Sequence, residues 1–98
     1  MSGSAGGGAA PRVALIRVES FLHSAKDSIA NDNRDDARQE IESAFVICDQ
    51  IRGDVGKEIK RLVGNARNNL DSDSADETVE AVIDSALAEA ENIRPNLN

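Results

Sequence analysis

Ala37, Ile41, Ala44, Cys48, Ile51, Val55, Ile59, Leu62, Ala66 and Leu70 recur three or four residues apart through the middle of the chain. That spacing puts all ten on one side of a helical wheel. Shorter stripes flank it on both sides, so the pattern predicts an all-α fold, a small helical bundle. The core must be aliphatic, because there are only two Phe and no Trp or Tyr among 98 residues. Aliphatic side chains suit a bundle interior, since no polar atom there needs a partner. A chain of this length makes one domain with a modest core.

The domain is expected over residues 11–94, between a Gly/Ser/Ala tail at 1–10 (MSGSAGGGAA) and a short C-terminal tail at 95–98. The first ten residues hold nothing to bury and are expected to be disordered. A first helix is predicted from Pro11 to Ala30, with Ala14, Leu15, Val18, Phe21, Leu22, Ala25 and Ile29 on its apolar face. Proline suits a first helical turn. Asn31 is the expected left-handed stop, and Asn33 the cap of a second helix opened by Asp35 and Asp36. The run Ala44-Phe45-Val46-Ile47-Cys48 is apolar all round, which places Ile41 and Phe45 deep in the core.

Two architectures fit the next stretch, Arg52-Gly53-Asp54-Val55-Gly56-Lys57. Gly53 can end one helix in the left-handed conformation while Asp54 caps the next, which gives a monomeric up-down-up-down bundle of four helices. Alternatively one helix runs unbroken over 34–70, about 55 Å at 1.5 Å per residue. That long helix leaves its core half open and requires a dimer, with Val46, Gly53 and Gly64 on a second face where another helix can approach. The hairpin is the preferred reading. A capping box, Ser74-Ala75-Asp76-Glu77, then opens a last helix from Ala75 to Ile93, buried through Val79, Val82, Ile83, Ala86, Ala90 and Ile93 and closed by Pro95. No internal repeat is visible in the sequence, although two helical hairpins back to back would mimic one.

Net charge is −7 and unevenly placed. Arg52, Lys57, Lys60, Arg61 and Arg67 make the middle basic, and residues 71–98 carry eight carboxylates against Arg94. Such runs are ordinarily solvated helix faces. The functional alternatives are a basic patch for an acidic partner, or an acidic helix over 75–93 that mimics DNA. Nucleic acid itself is disfavoured by the overall charge and by the lack of aromatics among the cations.

No catalytic, metal or cofactor motif is present, and the chain is not expected to be an enzyme. Cys48 stands alone on the core stripe and reads as a small buried hydrophobe. Gly53–Lys57 lacks the glycine spacing, the Ser or Thr and the preceding strand of a phosphate-binding loop. No apolar run is long enough to span a bilayer and no signal-peptide pattern is seen, so a cytoplasmic location is expected. His23 and Lys26 are similar to the H-x-x-K signature of histidine phosphotransfer domains, which are four-helix bundles of about this size. That resemblance implies phosphotransfer through His23 with Lys26 steadying the phosphate. It covers six residues, and Asp27 stands where that family has glycine. The reading that best absorbs these observations is a non-catalytic protein–protein interaction or assembly module, its partner another protein or a second copy. Val46 and the basic patch are its candidate contact residues.

Overall fold

The computed structural model describes residues 11–97, so the expected N-terminal tail at 1–10 lies outside the described residues. Four helices form an up-down-up-down bundle: α1 (Pro11–Ala30), α2 (Arg34–Ile47), α3 (Gly53–Asp71) and α4 (Asp76–Ile93). Each packs on its two neighbours round a square, α1 and α3 both packing on α2 and α4, while the backbones of diagonal helices stay apart. No strand occurs among the described residues.

The chain breaks where α2 would have run on. After Ile47 comes a 3-10 turn, Cys48–Gln50, and Ile51 and Arg52 are extended. Ile51 is buried and pins this crossing to the core. Gly53 has φ +85°, as a hairpin demands, but it opens α3 rather than ending α2. No side-chain cap bond forms there, so Asp54 does not act as the expected cap. The unbroken helix over 34–70, and the second face it would have given Val46, Gly53 and Gly64, are thereby excluded. A Cβ at Gly53 meets open space, so only its backbone conformation resists substitution. Gly53→Ala is expected to lower stability by about 1 kcal/mol. Chemical denaturation measures it, and a stabilised variant would contradict the break.

The break also resets the helical phase. Val55 and Leu62 drop to partial burial, and α3 buries Gly56, Ile59, Val63, Ala66 and Leu70. In α2 the run 44–48 is not buried on every side. Ala44, Ile47 and Cys48 point inward, Phe45 is half-buried and Val46 is exposed. Ile41 is fully buried as expected. The Phe45 ring lies in the α2–α3 groove, where a Cβ on Gly64 would come within 3.2 Å of its Cε1. In α4, Leu87 joins the core and Val82 is only half-buried.

Both hairpin turns close alike. Asn33 N–H donates to Ser28 O (2.8 Å) and Asp32 N–H to Ile29 O (3.0 Å), with Asp32 left-handed at φ 62°. Ser74 N–H donates to Asn69 O (3.0 Å) and Asp73 N–H to Leu70 O (3.3 Å), with Asp73 at φ 59°. These are Schellman closures, in which short polar residues tolerate the left-handed site. The left-handed stop is therefore Asp32, one residue beyond Asn31. Asn33 caps α2 by accepting from Asp36 N–H. The capping box at Ser74 does not form: its hydroxyl donates to Asn69 Oδ1 (2.9 Å), and α4 begins at Asp76 without a side-chain cap. Of the expected C-terminal tail, residues 95–97 are described and are not free, since Arg94–Asn96 form a 3-10 turn and Leu97 packs on the core.

The two hairpins are a repeat that the sequence alone conceals. A shift of 41 residues, Asp32 to Asp73, superposes Val18, Leu22, Ala25 and Ile29 on Ile59, Val63, Ala66 and Leu70. A shift of 42, Ile41 to Ile83, superposes Ala37, Ile41, Ala44 and Cys48 on Val79, Ile83, Ala86 and Ala90. All sixteen are buried. Three of the ion pairs obey the same relation. Lys26–Asp84 joins α1 to α4, and the equivalent Arg67–Glu42 joins α3 to α2. Arg34–Asp76 maps onto itself, since 34 and 76 differ by 42.

Candidate interaction surface

The α1 stripe that faces the core leaves Arg12, Val13, Ile16, Arg17 and Ser20 on the outside. Val13 is 49% exposed and Ile16 45%; on α2, Val46 is 57% exposed. These three are the exposed large apolar side chains among the described residues, and all belong to the α1–α2 hairpin. The repeat supplies an internal control. The equivalent positions on α3–α4 hold Asp54, Lys57 and Ala88. The fold is built there without large apolar side chains, so it does not require them on α1–α2.

A groove of about 480 Å³ runs between α1 and α2, lined by Arg17, Phe21, Gln39, Glu42, Ser43, Val46 and Ile47, so that of the three exposed apolar residues Val46 borders it directly. Phe21 and Ile47 give it an apolar floor. Arg17 and Glu42 stand on opposite walls. Glu42 accepts from Arg67 at 3.4 Å. Arg12 and Arg17 have no carboxylate partner among the described residues.

Of the residues singled out in the sequence, only Val46 belongs to this surface. The basic set is dispersed and largely engaged. Lys60 binds Asp49 at 2.7 Å, Arg61 binds Glu58, and Arg67 binds Glu42. Lys60 Nζ and Arg67 Cζ also lie 5.0 and 4.0 Å from the Phe45 ring centroid, so an aromatic is present after all, already covered by cations. Arg52 and Lys57 remain exposed. His23 is exposed on α1, while Lys26 is drawn across to Asp84 on α4, a hydrogen bond that raises the ammonium's pKa. The carboxylates of Glu80, Asp84 and Asp27 surround that lysine. Cys48 lines a second recess of about 270 Å³ with Asp49, Ile51, Gly53, Gly56, Lys57 and Lys60. Burial pushes its thiol up to about 12, so it is no nucleophile. No group of three metal-ligating side chains occurs among the described residues, and no described helix is long and apolar enough to cross a membrane.

Glu19 is a buried carboxylate on the α4 side of α1. Its Oε1 accepts from Arg94 at 2.7 Å, and its Oε2 has no hydrogen-bond partner. Burial raises its pKa; Arg94 opposes that rise, Glu91 adds to it and His23 opposes it. The charged form is thus the costly one, and Arg94 is what makes it tolerable. Arg94→Ala is expected to cost about 1–2 kcal/mol at neutral pH. Because the folded state binds the Glu19 proton more readily than the unfolded state, the penalty should shrink as pH falls towards 4.5. Urea denaturation of both proteins across that range checks it, and a pH-independent difference would contradict it.

Comparison with known protein families, curated proteins and solved structures finds no match.

Proposed function

We propose that the protein is a non-catalytic helical interaction module whose docking face is the outer side of the α1–α2 hairpin. One observation carries this reading: Val13, Ile16 and Val46 are exposed on one hairpin, whereas its structural repeat bears Asp54, Lys57 and Ala88 at the same places. Exposed apolar surface beside an apolar groove, rimmed by polar groups, is the composition of a protein-binding site. The alternatives draw less support. Lys26 is already tied to Asp84, and acidic side chains surround it. Three of the five basic-patch cations already hold carboxylates, and on the acidic helix Asp76 and Asp84 already hold Arg34 and Lys26. A cytoplasmic setting suits a chain whose one cysteine offers no intrachain disulfide.

A photo-crosslinking amino acid placed at position 46, and separately at 88, tests the reading in cells that make the protein. An adduct from 46 that is absent from 88 and lost on Ile16→Asp is expected. No adduct from 46, or equal adducts from both positions, would overturn it.

A further inference from the structure

The charges around the α1–α2 groove indicate what fits it. On the α1 wall of the groove stands Arg17, which has no carboxylate partner among the described residues. The α2 wall carries Glu42, whose bond to Arg67 is long at 3.4 Å and leaves the second carboxylate oxygen free. Phe21, Val46 and Ile47 lie between these walls. One chain therefore presents both halves of a charge pair on either side of an apolar strip. Such a surface is complementary to itself, since in an isologous contact residue i meets j and j meets i.

We infer that this face binds a second copy of the chain, the two α1–α2 grooves meeting about a two-fold axis with Arg17 of each copy against Glu42 of the other. This rests on the reading of the α1–α2 face as the docking surface. Val46 of each copy then enters the apolar groove of the other, and Val13 and Ile16 are covered at its edge. The four-helix core is closed within one chain, so the pairing is a surface association and neither copy depends on it to fold. The net charge of −7 opposes approach at low salt, and screening over about 8 Å at physiological ionic strength removes most of that long-range repulsion. The pairing should therefore tighten as salt is raised from very low levels, which is opposite to a contact driven by net charge attraction.

Sedimentation equilibrium of the full chain at about 100 µM and physiological salt tests the inference. The expected mass is twice 10.4 kDa. Val46→Asp should return the single-chain mass with its helical circular dichroism intact, while Ala88→Asp, its counterpart on α3–α4, should leave the dimer in place. Arg17→Glu and Glu42→Arg should each weaken association at least about tenfold, and the two together in one chain should restore it. A wild-type protein of single-chain mass, or a dimer indifferent to Val46→Asp, would overturn the self-pairing. A single-chain mass together with a crosslink from position 46 to a different protein would remove the second copy and keep the docking face. Absence of any such crosslink would remove both.

Discussion

Gly56→Ala should destabilise the fold by about 2–3 kcal/mol, although it replaces a poor helix former inside a helix. Taken alone, helix propensity predicts a gain of about 1 kcal/mol. The opposite sign follows from the α2–α3 crossing. Ile51 is buried, and its extended backbone lays the carbonyl against the first turn of α3. A Cβ on Gly56 would overlap the Ile51 carbonyl oxygen and stand 2.7 Å from the carbonyl carbon. Backbone cannot rotate away as a side chain does, so Ile51 must leave its core site or α3 must shift. Urea denaturation measures the change. A variant as stable as wild type would show that this crossing is not packed as described.

Ile41→Ala should cost about 3–4 kcal/mol, while Val46→Ala, five residues on in the same helix, should change stability by no more than about 0.5 kcal/mol. Ile41 is fully buried among helix faces and its removal leaves a cavity. Val46 loses surface that is already half in water. A domain of this size has little stability to spare, so Ile41→Ala should lie near the edge of folding at room temperature. Parallel melts of the two variants check the contrast. Equal effects would mean that α2 is rotated from the orientation described.

Helix positions and most of the core were legible in the sequence, because the period of apolar residues reports directly on which face is buried. Ala37, Ile41, Ala44 and Cys48 stand where their spacing places them. The break at Gly53 was legible as one of two solutions, since glycine serves both a left-handed site and an indifferent helix interior. What decided it was Ile51, whose buried side chain holds an extended segment that periodicity cannot distinguish from a helical one. Gly56 was not legible, because its role depends on a carbonyl brought over it by that crossing. The repeat was hidden for another reason. Core equivalence such as Leu22 with Val63 preserves burial but little identity, and the shift changes from 41 to 42 at the second turn. The docking face left a trace that could have been followed: Val13 and Ile16 are β-branched apolar residues out of phase with the α1 stripe. Burial of Glu19 left a similar trace, since it lies three and four residues from Leu22 and Leu15, inside the apolar arc.

If the α1–α2 face is kept apolar for a partner, its side chains contribute little to folding. A urea titration of dilute protein carrying Val13→Thr, Ile16→Thr and Val46→Thr tests that directly, because threonine keeps the branched shape and removes the apolar surface. The expected loss is at most about 0.5 kcal/mol per site, with the helical spectrum unchanged. A combined loss above about 3 kcal/mol would show these side chains to be part of the folding core, and the docking face would lose its basis.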